Sequence, residues 1–285
     1  MARLLYPSRG LPHTPWVGLA EKLRVTPGRK VKLEDYATDV TPGFKQKPDV
    51  DEILSETAAK MADLQYLMFA ENKRALLIVL QAMDTGGKDG TIKHVMTGLN
   101  PAGVQVTSFK VPTELERNHD FLWRIHQAVP RRGDFGIFNR SHYEDVIVVR
   151  VHDLVPRDVW NERYEMINRF ERHLVDNNVT ILKFFLHISK EEQKRRIRAR
   201  IDEPTKCWKL SPSDFEERKF WDDYQEAYAD ALSKCSTSYA PWFIVPADKK
   251  WFRNLAVAEI MLETLQSMKM KFPKASFDPS KLKLR

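Results

Sequence analysis

The part of the chain whose residue types most directly suggest chemistry is a short glycine-rich segment. The apolar run LLIVL (residues 76–80) precedes the segment QAMDTGGKDGT (residues 81–91), and apolar residues at helical spacing follow it. This order of strand, glycines, lysine and helix suits a phosphate group. Glycines let backbone N–H groups surround phosphate oxygens, and the helix N-terminus adds partial positive charge. The candidate phosphate-binding residues are Gly86, Gly87, Lys88, Asp89, Gly90 and Thr91.

This glycine loop (residues 82–90) departs from the GxxxxGK[ST] pattern at two positions. Ala82 stands in place of the first glycine, and Asp89 in place of the hydroxyl that binds a metal ion. Thr91 could supply a displaced hydroxyl, and Asp84 could hold Mg²⁺, or Mn²⁺ in its place, against a phosphate chain. A glycine-rich turn that binds nothing is the alternative, and the flanking strand and helix patterns favour phosphate binding over it.

A second polar segment, NRSHYED (residues 139–145), follows another apolar run. Asn139 occupies the position of the usual Walker B aspartate, and its amide offers no anionic oxygen to a metal ion. More of the charge balance should therefore fall on Asp84, with Asp89 as a weaker candidate. The planar guanidinium of Arg140 suits bidentate contact with a phosphate.

Two further residues of this segment are candidates for nucleotide contact. Glu144 could accept a hydrogen bond from a nucleobase amino group or a ribose, and the alternative is a charge favoured by the first turn of a helix. His142 fits a phosphate contact and a structural histidine equally well. Together with Asn139, these two residues form the candidate nucleotide-binding set.

A basic helix is predicted further along the chain. Ser189 and Glu192 have capping-box spacing, so a helix should begin there. Residues 190–209 contain eight Lys or Arg against four acidic residues. Such a charge run is often a solvated face, but a position after a predicted strand favours a lid that closes over a polyanion. The candidate lid contacts are Arg195, Arg198, Lys206 and Lys209.

The elements that would position these residues follow an alternating pattern. Five β-rich runs are separated by helical stretches, which predicts a parallel sheet with helices on both faces. Ligands of such sheets bind beyond the carboxyl ends of the strands. The predicted strands are 75–84, 104–110, 135–139, 179–189 and 242–248. The predicted helices after the first, which starts at residue 51, are 88–99, 114–129, 141–150, 157–177, 190–202, 213–235 and 251–268.

The two ends of the chain differ in composition from the middle. Residues 1–50 hold six of the sixteen prolines and four of the eleven glycines, which predicts an irregular N-terminal arm. Residues 51–272 carry the α/β pattern and form the expected main domain, with the lid at about 189–212. Residues 273–285 are basic and interrupted by proline, which is typical of a solvated tail.

Composition narrows the class of protein and of partner. Of the 285 residues, 42% are hydrophobic and 30% charged, which excludes a disordered chain and a membrane bundle. The net charge of +7 favours polyanionic partners, without distinguishing nucleic acid, nucleotide and phosphate chain. Two cysteines form neither a disulfide framework nor a zinc motif, and no signal or membrane segment is evident, so we expect a cytoplasmic protein.

Several motifs in order resemble one family. The runs LQAMDTGGKDGT, NPAGVQVTSFKVPT and GIFNRSHYEDVIVVRVHDLVP are similar to the polyphosphate kinase 2 family, and the similarity extends from about Lys32 to Phe272. The chain looks most like class III, the group associated with phosphorylating both AMP and ADP, in which the glutamate at position 144 is associated with nucleotide choice. The resemblance implies an α/β fold, the three-layer P-loop kinase sandwich related to thymidylate kinase, with a helical lid and Mg²⁺ dependence.

The function expected from these observations is a polyphosphate-dependent nucleotide phosphotransferase. It would move the terminal phosphoryl group of inorganic polyphosphate reversibly onto AMP and ADP, with Asp84, Lys88 and Arg140 as catalytic residues. We expect adenine nucleotides and polyphosphate as partners, a homo-oligomer, and neither nucleic acid nor membrane. Two alternatives stay open, an ATP-dependent nucleoside monophosphate kinase and a noncatalytic protein that binds polyanions such as RNA.

Overall fold

A five-stranded parallel sheet forms the centre of the protein. The computed structural model describes residues 18–210 and 212–278. The strands are β1 (Ala75–Gln81), β2 (Val104–Ser108), β3 (Phe135–Asn139), β4 (Val179–His187) and β5 (Trp242–Pro246). They lie in the order β2-β3-β1-β4-β5, and every neighbouring pair is parallel. The predicted α/β class and its five strands are confirmed.

Helices cover both faces of this sheet. They are α1 (Leu19–Leu23), α2 (Val50–Glu71), α3 (Lys88–Val95), α4 (Glu114–Arg117), α5 (Trp123–Gln127), α6 (Val148–Val151), α7 (Arg157–Asp176), α8 (Lys190–Ile201), α9 (Pro212–Glu217), α10 (Trp221–Cys235) and α11 (Lys250–Ser267). Parallel crossovers are right-handed. The crossover through α3 runs towards β2 and the crossovers through α7 and α10 run towards β5, so these helices lie on opposite faces.

Four predicted helices are shorter or more broken than their patterns suggested. The stretch 213–235 divides into α9 and α10 on either side of a 3₁₀ turn, Arg218–Phe220. The predicted helix 88–99 ends at Val95, ahead of Gly98, which has a left-handed backbone. The stretch 114–129 divides into α4 and α5, because Asp120 accepts from the backbone N–H of Leu122 and forms a local turn. The stretch 141–150 is a 3₁₀ turn followed by α6, with β-branched residues at the break.

The described part of the N-terminal arm packs against the main domain. Its only regular elements within residues 18–49 are α1 and the 3₁₀ turn Leu33–Asp35, as an irregular arm predicts. Five of its apolar side chains, those of Leu19, Leu23, Val25, Val31 and Leu33, are nevertheless buried in the hydrophobic core. The backbone N–H of Val25 donates to the carbonyl of Trp242 at 2.8 Å. The boundary at residue 50 stays a prediction.

The predicted N-terminal arm and the predicted C-terminal tail are only partly described by the structure. Residues 1–17 of the arm and 279–285 of the tail lie outside the described residues. Residues 273–278 of the tail contain neither helix nor strand. None of the helices in the described ranges combines the length and the apolar character needed to cross a bilayer.

A buried charge network lies behind the NRSHYED segment. Lys183 on β4 donates to the carboxylate of Glu171 on α7, to the hydroxyl of Tyr143 at 2.8 Å and to the carbonyl of Cys235 at 2.7 Å. The side chains of Lys183 and Glu171 are fully buried. Burial favours the neutral acid, but the charge of Lys183 and a hydrogen bond from His142 outweigh it and lower the pKa of Glu171 below its ordinary value. The network joins the segment to two helices and a strand.

We expect removal of one partner of this network to destabilise the fold strongly. Lys183→Met leaves the Glu171 carboxylate buried without its cation and should lower the free energy of unfolding by about 3–5 kcal/mol in urea titrations. Arg169→Met is the control, because the ion pair of Arg169 with Glu165 on the same helix is exposed. That variant should change stability by less than about 0.5 kcal/mol. Similar losses in both variants would contradict the assignment.

Candidate active site

The glycine loop forms a tight turn between β1 and α3. The N–H of Gly86 donates to the carbonyl of Met83 at 2.9 Å, and Thr85 and Gly87 adopt left-handed backbones with φ of 62° and 103°. Helix α3 begins at Lys88, so its N-terminal N–H groups and its dipole face the loop. This is the geometry that the sequence pattern predicted for holding an anion.

A large cleft opens over this loop. It has a volume of about 980 Å³, and its walls come from the loop, the end of β2, the end of β3, helix α8 and the start of α11. Ten of the predicted site residues line this main cleft. They are Asp84, Gly86, Gly87, Lys88, Asp89, Gly90, Asn139, Arg140, Arg195 and Lys206. The structure therefore brings most of the candidate set together.

Lys88 lies at the base of the cleft. Its side chain is 9% exposed, and its ammonium group donates to the carbonyl of Ala82 at 3.2 Å. Burial, and after it the charge of Arg140, lower the pKa of Lys88 below its ordinary value, against the opposing effect of Asp84. The loop backbone therefore holds the ammonium group of Lys88 at the base of the cleft, where an anion would bind.

Arg140 contacts both carboxylates that flank it. Its guanidinium donates to Asp84 at 2.7 Å and to Glu144 at 3.4 Å. Burial works against this charge, but Glu144 and Asp84 outweigh burial and raise the pKa of Arg140 above its ordinary value. The sequence assigned Asp84 to a metal ion and Arg140 to a phosphate as separate roles. In the structure the two side chains form an ion pair. A metal ion at Asp84 or a phosphate at Arg140 therefore has to compete with this ion pair.

Asn139 and Asp89 also contact one another. The amide of Asn139 donates to the Asp89 carboxylate at 2.7 Å, across the gap between β3 and the first turn of α3. Asn139 therefore acts on Asp89 as a hydrogen-bond donor, which an aspartate at position 139 could not do unless it were protonated.

Four predicted contact residues do not line the main cleft, and the side chain of a fifth cannot be placed. One of the four, Glu144, lines a smaller cavity beside the cleft. Thr91 is buried, and its hydroxyl donates to the carbonyl of Gly87 at 3.1 Å. His142 is 1% exposed and lies 3.2 Å from the Glu171 carboxylate, so it is a structural histidine in the core. Arg198 is exposed on the outer side of α8. The side chain of Lys209 lies outside the described part of the chain.

Comparisons with known proteins agree on one family. The family model described as polyphosphate kinase 2 matches residues 45–273. The chain belongs to the polyphosphate kinase 2 family. A Meiothermus ruber protein named AMP/ADP-polyphosphate phosphotransferase is 52% identical over 89% of this chain and 95% of its own length. A Rhodopseudomonas palustris protein named ADP-polyphosphate phosphotransferase is 46% identical over 90% of this chain and 93% of its own length.

A solved structure supports the same assignment. The crystal structure of polyphosphate kinase 2 from Arthrobacter aurescens TC1 superposes with a TM-score of 0.88 at 45% sequence identity. The superposition covers 92% of this chain and 94% of that chain. The fold that positions the loop is thus the fold of a solved member of the polyphosphate kinase 2 family.

Arg196 is a site residue of this polyphosphate kinase 2 chain that the motifs did not reveal. Its guanidinium donates to the loop carbonyls of Thr85 at 3.1 Å and Gly86 at 2.9 Å, and also to the carbonyl of Ala247 beyond β5. Glu192, one turn earlier, holds it through an ion pair of 2.7 Å. The i,i+4 spacing of Glu192 and Arg196 is visible in the sequence, but such spacing is also typical of a solvated helix face.

A smaller cavity adjoins the main cleft on the side of Glu144. Its volume is about 30 Å³, and it is lined by Ala82, Met83, Asp84, Arg140, Glu144, Val148, Gln193, Glu217, Tyr224 and Tyr228. Tyr224 donates to the Glu217 carboxylate at 2.6 Å, and Tyr228 donates to the carbonyl of Ala82 at 3.0 Å. Glu217 and the two tyrosines follow no motif, so the sequence alone did not mark them.

We expect Gly87 to tolerate no side chain, for steric as well as conformational reasons. A Cβ at Gly87 would overlap the guanidinium of Arg253, whereas a Cβ at Gly28 would meet nothing within 4 Å. Both glycines have left-handed backbones, so Gly28→Ala controls for strain, which costs about 1–2 kcal/mol. Gly87→Ala should lose about 1–3 kcal/mol more in urea unfolding. Equal losses would contradict the close packing of Arg253 against the loop.

Proposed function

We propose that this protein transfers the terminal phosphoryl group of inorganic polyphosphate to AMP and ADP, giving ADP and ATP, as class III members of its family do. The observation that carries the proposal is the glycine loop with Lys88 at the base of a large and strongly cationic cleft. The names of the relatives, AMP/ADP-polyphosphate phosphotransferase among them, support this choice of donor and acceptor.

The charge of the main cleft favours a phosphate chain over a single nucleotide as donor. Nine Lys or Arg side chains line it against three carboxylates. The cationic residues are Lys88, Lys110, Arg140, Arg195, Arg196, Arg200, Lys206, Lys250 and Arg253, and the acidic ones are Asp84, Asp89 and Glu192. A polyanion with a charge on every unit makes use of such an extended surface, whereas a purine base and a ribose do not.

The reaction needs positioning and charge neutralisation more than it needs a base. The attacking oxygen belongs to a nucleotide phosphate that is already ionised at neutral pH. In this proposal Lys88 and the loop N–H groups bind the transferring phosphoryl group, and Arg140 orients the acceptor phosphate in line with it. The side chains of α8 exclude water, which would otherwise compete as the acceptor.

The donor set fits a divalent metal ion of the kind that kinases use. Such ions are held by one or two carboxylates together with substrate phosphates and water, and the described residues contain no cluster of three or more protein ligands. Asp84 is 31% exposed, and its charge acts on Lys88 more strongly than that of Asp89. We propose Asp84 as the protein ligand and Mg²⁺ as the ion, with Asp89 as the weaker candidate. When bound, the ion adds positive charge beside the phosphates.

In this proposal the acceptor nucleoside binds on the side of Glu144, where the cavity of about 30 Å³ has to widen to admit a base. Glu144 lines this cavity beside Arg140, and its carboxylate suits a hydrogen bond from the amino group of adenine. Tyr224 supplies a flat apolar ring in the same wall. The homo-oligomer, the cytoplasmic location and the absence of a nucleic-acid partner stay predictions of this proposal.

Purified protein with AMP, Mg²⁺ and polyphosphate, but without ATP, tests the donor directly. We expect ADP and then ATP by chromatography, because the donor needs only a phosphate chain. Formation of ADP only when ATP is added would favour the ATP-dependent monophosphate kinase.

Lys88→Ala should lower kcat by about 100- to 1,000-fold with polyphosphate binding largely retained by the other cations. The control is Lys93→Ala, an exposed lysine on the same helix, which should keep full turnover. Equal turnover in the two variants would reject the proposal.

The Mg²⁺ dependence of the rate distinguishes the roles of the two loop carboxylates, Asp84 and Asp89. A chelator should abolish product formation, and excess Mg²⁺ should restore it. Asp84→Asn should raise the Mg²⁺ concentration for half-maximal rate by at least about tenfold, since even outer-sphere partners of a metal are worth 10- to 100-fold. Asp89→Asn is the matched comparison and should shift it less, because Asp89 already accepts from Asn139. A larger shift in the Asp89 variant would reverse the assignment.

A further inference from the structure

Arg253 is a buried cation beneath the glycine loop. It lies on α11, far from the loop in sequence, and its side chain is 3% exposed. It nevertheless lines the main cleft. Its guanidinium donates to the side chain of its neighbour Asn254 at 2.8 Å and 3.1 Å.

The loop glycines make room for this guanidinium. A Cβ at Gly87 would lie 3.0 Å from the central carbon of the Arg253 guanidinium and would overlap one of its nitrogens. A Cβ at Gly90 would lie 3.3 Å from its other terminal nitrogen. The bare backbone of the loop therefore lies directly against Arg253, on the edge from which α3 begins.

Arg253 has a cationic neighbour and no carboxylate partner within the described ranges. The nearest charged group acting on it is Arg196, one of whose terminal nitrogens would lie 3.4 Å from the same Cβ at Gly87. Burial and then the charge of Arg196 lower the pKa of Arg253 to about 10. Arg196 is balanced by Glu192, whereas Arg253 has only the neutral amide of Asn254.

A buried charge without a counter-ion is costly, and proteins bury one where a ligand supplies the opposite charge. A fork of N–H donors matches the oxygens of a phosphate group. The geometry points to Arg253 as a binding residue for the phosphate group held in the glycine loop, which in the proposed function is the terminal phosphate of the donor chain. This inference rests on that proposed function.

The phosphate could come from the donor chain or from the nucleotide, and one pair of measurements separates these sources. Arg253→Gln keeps a hydrogen bond to Asn254 but removes the charge. Calorimetry with tripolyphosphate should give a dissociation constant raised about 10- to 100-fold, as expected for loss of a charged hydrogen-bonding partner. The KM for polyphosphate should rise by a similar factor while the KM for AMP changes little. A rise confined to AMP would overturn the donor assignment.

Stability in phosphate-free buffer distinguishes a binding role from a structural one. A binding arginine without a counter-ion should be replaceable by glutamine with no loss of stability to urea. A structural arginine would instead cause a clear loss of stability while leaving tripolyphosphate affinity unchanged, and that result would overturn the inference. Arg169→Gln removes the same charge from an exposed site and should alter neither quantity.

A lysine variant covers the case in which Arg253→Gln does not fold, and product formation by the wild type tests the proposed function separately. If Arg253→Gln fails to fold, Arg253→Lys provides the test, since it keeps the charge without the fork and should bind tripolyphosphate more weakly than the wild type. Wild-type affinity in the lysine variant would overturn the inference. If the wild-type protein makes no ADP from AMP and polyphosphate, the proposed function fails as well. Product formation with equal polyphosphate KM values in the wild type and Arg253→Gln would reject the role of Arg253 alone.

Discussion

The parallel register of β1 against β3 is the constraint on which the site depends. Leu80 lies opposite Asn139, so the two strands end side by side. The glycine loop leaves one strand and the NRSHYED segment leaves the other at the same edge of the sheet. This alignment brings Arg140 within 2.7 Å of Asp84 and Asn139 within 2.7 Å of Asp89, although the two pairs are 56 and 50 residues apart along the chain. A register shift in this central pair would separate all four.

Helix α8, which was predicted to belong to a lid, has two different faces. Its inner face contacts the loop backbone, because Gln193 donates to the carbonyl of Asp84 and Arg196 to those of Thr85 and Gly86. Arg198 is exposed on its outer face, whereas the exposed Arg195 lines the main cleft. The predicted lid therefore has a first half that is anchored to the loop. Any closing motion over a substrate would have to come mainly from the residues after α8.

The sequence predicted structure well where residues suited to phosphate binding lie directly beside a periodic apolar pattern. The five strands and the loop could be predicted because apolar runs, glycines and a lysine follow one another in order. Arg253 could not, because it reaches the loop from α11 through tertiary packing that no local pattern encodes. His142 was ambiguous for a related reason. Its partner Glu171 lies on another helix, and only the fold shows that the pair is buried.

The buried network behind the NRSHYED segment has a consequence for acid tolerance. Burial is the largest influence on His142 and lowers its pKa below the ordinary value of 6.5. As the pH falls, His142 therefore binds a proton in the unfolded chain before it does so in the folded chain, and this lowers stability. Glu171, whose pKa is lowered below 4.5, adds stability above that pH and loses it as the pH falls further. Both effects act in the same direction. Acidification should therefore lower the free energy of unfolding through this network, which contacts Tyr143, three residues from Arg140.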